Sequence, residues 1–307
     1  GRNRSRGRLA ASDGSGKSSN QPTGVNLHIM GNLIAFAYYG GKQRHLAEIL
    51  PLLPAADHYC EPFAGSAAVL LNRAPSPIET MNDLNGDICN FFRVLRDHPA
   101  DLIGRLELTP YAREEFAEAW EPHPDPIESA RRFFCRVVMD LAKAGAKKDK
   151  SFSTNATYDR SQFSYAPWNM IQKIAGLPEI VNRLRQVQIE NRPAVDLIRK
   201  YDRPETLFYC DPPYLAETRT SSNDYAHEMT LQQHVELAEV LNAARGRVAL
   251  SGYDSPTMKE LYPPEKWWKT AFKTRRVPMS SSGKLRRQEM LWTNYDPDKM
   301  HGQTTIF

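Results

Sequence analysis

The stretch that most constrains this chain is residues 207–214, Leu-Phe-Tyr-Cys-Asp-Pro-Pro-Tyr. Its four apolar residues predict a short buried strand, and the two prolines forbid that strand from continuing, since proline donates no backbone N–H to a sheet ladder. Asp211 therefore stands at a strand's carboxyl end. In an open α/β sheet that edge is where ligands bind, and here it carries a carboxylate, a rigid Pro212-Pro213 backbone and the ring of Tyr214. A flat polar ring would find a partner in each. The plain alternative is a turn that merely stops a strand.

The rest of the chain supplies the context for that edge. Strands are expected at 58–61, 78–81, 187–190 and 247–251, with two closing strands at 267–277 and 289–295. Helices are expected at 111–120, 126–144, 167–186, 194–200 and 230–244. Strand and helix alternate with short links, which predicts a parallel, doubly wound α/β sheet. Residues 1–30 are rich in Gly, Ser, Asn and Arg and have no hydrophobic periodicity. They are expected to be a disordered tail, either a cloning extension or part of an extended reading frame. Residues 31–96 and 187–307 are expected to form the main domain, with 97–186 a smaller, mostly helical insert.

Three further segments carry chemistry. An apolar stretch leads into Gly40-Gly41-Lys42 just before a short helix, where glycines allow unusual backbone angles and close approach of a ligand. Residues 58–71 read as strand, small-residue loop and Ala-rich helix, with Glu61, Pro62, Phe63, Ala64 and Gly65 in the loop and Ser66 placed to cap the helix. No G-x-G-x-x-G and no Gly-Lys-Ser/Thr is present, which disfavours a dinucleotide or triphosphate loop. The strand at 78–81 closes on Asn82-Asp83-Leu84-Asn85. Asp83 sits where nucleoside-binding α/β folds place a ribose acceptor; alternatively Asp83 or Asn85 caps the following helix.

Charge decides less than its distribution. Forty Lys+Arg against 36 Asp+Glu give +4, which permits but does not establish a nucleic-acid partner. Residues 273–287, however, hold Lys273, Arg275, Arg276, Lys284, Arg286 and Arg287, six cations and no acid in fifteen residues. With Arg219 in the polar loop at 216–230, they suit a phosphate backbone; the bland alternative is a solvated hairpin. The loop at 216–230 is long enough for a lid, and aromatic Tyr158, Phe163, Tyr165 and Trp168 interleave a polar stretch suited to reading a partner. The four cysteines have no metal-ligand spacing, so no metal is expected. No run approaches the roughly 20 apolar residues of a membrane helix. The expectation is a monomer or weak dimer in the cytoplasm of a prokaryotic or phage-infected cell.

Tyr38-Tyr39-Gly40-Gly41-Lys42, Glu61-Pro62-Phe63-Ala64-Gly65, Asn82-Asp83-Leu84-Asn85 and Asp211-Pro212-Pro213-Tyr214, in that order, resemble the Dam-type (D12 class) DNA adenine methyltransferases. The resemblance spans about residues 34–295. It implies a Rossmann-like seven-stranded methyltransferase sheet with a target-recognition insert at 97–186, binding S-adenosylmethionine and methylating the N6 amine of adenine in double-stranded DNA. It also implies that Tyr38, Gly40, Gly41 and Lys42 lie at the cofactor, that Glu61 to Gly65 wrap its methionine part, and that Asp83 takes its ribose. Asp211, Pro212, Pro213 and Tyr214 would hold the flipped base and the sulfonium end. The chain departs from relatives in having Tyr38 for a Trp and Ala67 for a Gly. Asn191 stands where an acid commonly meets the cofactor's adenine. The same chemistry would serve the N4 amine of cytosine, an RNA base, or, with catalysis lost, a nucleic-acid-binding protein.

Overall fold

The computed structural model describes residues 32–38, 40–140, 152–154, 165–215, 228–273 and 288–300. Seven strands form one sheet: β1 (His58–Glu61), β2 (Ile78–Asn82), β3 (Val187–Glu190), β4 (Thr206–Cys210), β5 (Arg247–Tyr253), β6 (Trp268–Ala271) and β7 (Glu289–Thr293), in the order β3-β2-β1-β4-β5-β7-β6. The first five are parallel, and β7 runs antiparallel to both β5 and β6. From β1 the chain winds outward through β2 and β3, then returns to β4 on the other side. The order thus reverses between β1 and β4, and a crevice opens beyond their carboxyl ends. Glu61 and Asp211 stand at its two lips.

Side-chain alternation along the strands sorts the core into two layers. Tyr59, Leu207, Tyr209, Ala249 and Leu291 face one cluster, while Cys60, Phe208, Cys210, Val248, Leu250 and Trp292 face the other. The second layer is covered by α8 (Ala194–Tyr201), α9 (Leu231–Ala243) and α10 (Pro256–Leu261). Thr230 starts α9 with a reciprocal capping box to Gln233.

The first layer is deeper. Besides α1 (Leu46–Ile49), α2 (Ala68–Asn72) and α3 (Gly86–Asp97), it includes α4 (Pro99–Glu107), α5 (Arg113–Glu118), α6 (Pro126–Met139) and α7 (Tyr165–Leu184). The helices between 97 and 186 therefore share a hydrophobic cluster with the sheet. Arg183 of α7 reinforces this by donating to buried Glu79 of β2 and to the Leu70 carbonyl (2.7 Å).

Most expected elements appear, with shifted ends. The strand expected at 267–277 is described as Trp268–Ala271; Phe272 extends the ladder by donating its N–H to the Glu289 carbonyl (3.0 Å), and residues 274–287 lie outside the described residues. The helix expected at 111–120 spans Arg113–Glu118, and Trp168 lies inside α7 rather than in a polar loop. The tail at 1–30, the loop at 216–227, Tyr158 and Phe163 also lie outside the described residues. Among the described residues no helix is long and apolar enough to cross a membrane.

An aromatic cluster fixes the approach to the site. Phe36 is fully buried, and its ring centroid lies 5.2 Å from Phe133, 5.3 Å from Phe91 and 5.7 Å from Phe92. The contacts with Phe91 and Phe133 are edge-on, packing that adds to the area effect. Phe133→Ala is expected to cost about 3–5 kcal/mol, read as a lower urea midpoint at unchanged slope.

Candidate active site

The segment entering the site is pinned by Phe36 and then reverses. Gly41 donates its N–H to the Tyr38 carbonyl (3.0 Å), and Gly40 adopts φ 75°, a left-handed angle that favours glycine. A Cβ at position 41 would stand 3.0 Å from the Tyr38 oxygen, so that turn has little room for a side chain. The reversal ends in the single-turn helix Lys42–Arg44 and buries Lys42, which is 4% exposed.

Lys42 is the hub. Its Nζ donates to the Gly40 carbonyl (2.7 Å) and to Asp211 Oδ2 (2.7 Å), and lies 3.2 Å from Glu289 Oε1. Glu289, which sequence reasoning missed, also accepts from the Tyr214 hydroxyl (2.5 Å), while His45 Nε2 lies 3.2 Å from its Oε2. Burial alone pulls Lys42 down, but Asp211 and Glu289 more than restore it, and its ammonium is held above its ordinary range. Burial pushes Asp211 up, with Lys42 pulling it part of the way back. Burial would also raise Glu289, yet Lys42, His45 and Tyr214 hold it down at about 2.

Across the crevice, Glu61 ends β1 fully enclosed. It accepts from the Tyr59 hydroxyl (2.6 Å), and burial raises its carboxyl to about 8. The loop after it is built on positive φ at Gly65 (51°) and Ala67 (52°). Because Ala67 in that conformation precedes α2, no side chain caps the helix, and the Ser66 cap expected from the sequence is not formed. Ser66 lines the cavity instead.

Asp83 holds this loop to the next. Its two oxygens accept from Gly65 N–H (2.9 Å) and Asn85 N–H (2.8 Å), while Asn85 caps α3 by accepting from Asp87 N–H (3.0 Å). The helix cap therefore falls to Asn85, and Asp83 fixes the cavity's floor. Asn191 braces the same turn from β3's side, donating to the Asp83 (2.7 Å) and Leu84 (3.2 Å) carbonyls.

Between these walls lies an open cavity of about 860 Å³, its solvent-filled mouth included. Tyr38, Gly40, Gly41, Lys42, Glu61 and Phe63 line it, as do Ala64, Gly65, Asp83, Asp211 and Pro213. Leu84, Asn85 and Met229 complete its apolar and polar rim. Pro62, Asn191, Pro212 and Tyr214 do not line it. Pro62 offers its carbonyl to Asn82, whereas Pro212 and Tyr214 border a small neighbouring crevice. Lys273 is exposed, and its backbone N–H donates to Glu48. Arg219, Arg275, Arg276, Lys284, Arg286 and Arg287 lie outside the described residues. Among the described residues no cluster of His, Cys, Asp and Glu would hold a metal.

Parallel strands reversing at β1 and β4, an antiparallel β7, and carboxylates at three strand ends are the arrangement of a Rossmann-like methyltransferase. Residues 38–274 match the family described as D12 class N6 adenine-specific DNA methyltransferase, and the chain belongs to that family. It is 26% identical over 276 residues to the type II methyltransferase M1.LlaDCHI of Lactococcus lactis subsp. cremoris, covering 83% of this chain and 93% of that one. It is 24% identical over 245 residues to the DNA N-6-adenine-methyltransferase of Escherichia phage P1, covering 74% of this chain and 30% of that longer protein. The retron Ec67 DNA adenine methylase of Escherichia coli is 25% identical over 236 residues, covering 73% of this chain and 78% of its own. The family's N6 chemistry decides between the adenine and cytosine amines that the sequence left open.

Glu61 provides a stability test. Its folded-state value of about 8 lies above the ordinary carboxyl value of 4.5, so the folded form favours the protonated acid. Stability is retained below the ordinary value and lost as pH rises toward 8. Glu61→Gln, which resembles the protonated acid, should match the parent in thermal midpoint at pH 4 and exceed it at pH 8.5, by calorimetry.

Proposed function

We propose that the 860 Å³ cavity holds S-adenosylmethionine and that Asp211 to Tyr214 receive a flipped adenine from double-stranded DNA. The observation that carries this is the buried Lys42–Asp211 pair, at 2.7 Å, set where the crevice meets the Pro-Pro turn. The cavity's chemistry fits the cofactor. Glu61, neutral-favouring while its surroundings are apolar, ionises beside the methionine ammonium, the Gly65 loop leaves backbone close to the ligand, and Asp83 presents a carboxyl group on the cavity floor toward the ribose hydroxyls. Leu84 supplies an apolar surface for a base ring. When bound, this cofactor supplies a methyl group on a sulfonium, ready for in-line displacement.

The chain's own residues then prepare the nucleophile. Adenine's amine is weak because its lone pair is delocalised into the ring. Asp211 and the Pro212 carbonyl each accept a hydrogen bond from that amine, which favours a more tetrahedral nitrogen aimed along its lone pair. The Pro-Pro backbone keeps the carbonyl fixed. Lys42 orients Asp211 and favours its ionised form against the effect of burial. Tyr214, braced by Glu289 and edge-on to Tyr253 (4.9 Å), is the stacking partner for the base. Catalysis of this kind is positioning and electrostatics. The segment at 97–186 is the part that reads the target, and residues 273–287, with Arg219, take the phosphates.

Asp211→Ala should leave Lys42 paired with Glu289 and the fold standing, yet abolish N6-methyladenine in digested DNA measured by mass spectrometry. Normal methylation by this variant overturns the assignment. Changing Arg286 and Arg287 together to Ala should weaken DNA binding and shallow its dependence on salt by about two phosphate contacts. An unchanged slope in filter binding removes these residues from the interface.

A further inference from the structure

Glu289 does not line the cofactor cavity, yet it is the carboxylate with the most partners in the buried cluster. Lys42 Nζ stands 2.7 Å from Asp211 and 3.2 Å from Glu289, so one ammonium serves two acids. Glu289 has two further donors: the Tyr214 hydroxyl at 2.5 Å on Oε1 and His45 Nε2 at 3.2 Å on Oε2. His45 is in turn held by Glu48 through Nδ1 (3.3 Å) and by stacking on Phe272 at 4.9 Å. Both sides of His45 are thereby fixed.

We propose that Glu289 is a positioning residue that sets the strength of Asp211 as a hydrogen-bond acceptor, by sharing the Lys42 ammonium and holding the Tyr214 hydroxyl, with His45 tuning that share. The proposal rests on the reading of Asp211 as the acceptor for the target amine. A lone Lys42 beside Asp211 would commit its charge to that one carboxylate and weaken it as an acceptor. With Glu289 drawing on the same cation, Asp211 keeps its basicity. The opposite displacements of the two acids agree, Asp211 being raised and Glu289 lowered. The groups facing this pair are Lys42 and His45 from the glycine turn, Glu48 of α1, Glu61 of β1, Tyr209 of β4, and Tyr214 with Tyr253 beside it. Of these, Lys42 is the cation shared by both acids, and the Tyr214 hydroxyl reaches both as well.

The direction of the effect on pH dependence follows. Asp211 must be ionised to accept the amine, so activity falls as pH drops through its value. Removing a neighbouring negative charge lowers that value.

The test is single-turnover transfer of tritiated methyl from S-adenosylmethionine to bacterial DNA free of N6-methyladenine, followed across pH. Glu289→Gln keeps an acceptor for Tyr214 but removes the charge. It should move the acid limb down by about one pH unit and reduce the plateau rate about tenfold. Affinity for S-adenosylhomocysteine should stay within about twofold of the parent's, because Glu289 lies outside the cofactor cavity. His45→Gln still offers an N–H to Glu289 but no positive charge. Glu289 should then draw more of Lys42, and the acid limb should move up. His45 is half-buried at the site's edge, so this variant supplies the decision if Glu289→Gln melts early. Opposed shifts support the role, and acid limbs that stay in place in both variants overturn it. Asp211→Ala, run alongside, separates the two readings. Retained activity there sinks the role of Asp211 itself, whereas its loss together with unmoved limbs sinks only the role of Glu289.

Discussion

A single buried ammonium organises the catalytic edge of this molecule. Lys42 is 4% exposed, and a cation so enclosed is costly unless paired and hydrogen-bonded. It is satisfied by three oxygens from separate parts of the chain: the carbonyl of its own glycine turn, the carboxylate after β4 and the carboxylate that begins β7. Both acids are half-buried, with side chains 18% and 16% exposed, so they keep some contact with solvent while Lys42 keeps almost none. The cluster thus ties three segments together at the point where the sheet reverses its winding. Removing Lys42 would leave two half-buried carboxylates beside each other without their shared cation, whereas removing either acid leaves an ion pair. The cation is the member the fold can least spare.

Around this hub the backbone is shaped by polar side chains that work as braces. Asp83 holds the Gly65 loop, and Asn82 joins the Pro62 carbonyl to the Arg192 carbonyl and N–H. Asn191 secures the turn at 83–84. Each satisfies backbone groups that a cavity wall would otherwise leave unpaired. A cavity with its loops fixed beforehand loses less freedom when a ligand enters. The assignment of Asn191 to the cofactor's adenine rested on its position after β3; the structure uses that position to stiffen the floor.

Most strands were legible in the sequence because apolar runs bounded by Pro, Gly and Asn carry a local signal; their pairing order, set by contacts between distant segments, was not. Glu61, Asp83 and Asp211 were legible for the same reason: each follows or ends such a run. Glu289 was not, because nothing local marks it. It follows Gln288 after a basic segment, and its value lies in partners from the far end of the chain. The Lys42–Asp211 bond spans 169 residues and was equally invisible as a contact, although both partners were named. Ser66 failed as a cap because the left-handed angle at Ala67 is a loop property that residue preference does not encode. The helices after residue 97 read as a separate body because composition changes there, yet Phe36, Phe91 and Phe133 join them to the sheet's own core.

The antiparallel strand has a consequence for chemistry. In a wholly parallel sheet only carboxyl ends reach the ligand crevice, and each supplies its group from the loop that follows. Because β7 is reversed, its first residue rather than its last lies at that edge, with Glu289 paired to Tyr253 at the carboxyl end of β5. Glu289 is therefore held by a strand ladder, not by a loop. Its carboxylate and the one that follows β4 both reach Lys42, so the ammonium is shared by two acids carried by separate strands. A parallel β7 would have brought Thr293 to the crevice and left Lys42 with Asp211 alone. The reversal of one strand thus supplies the second charge against which the first is balanced.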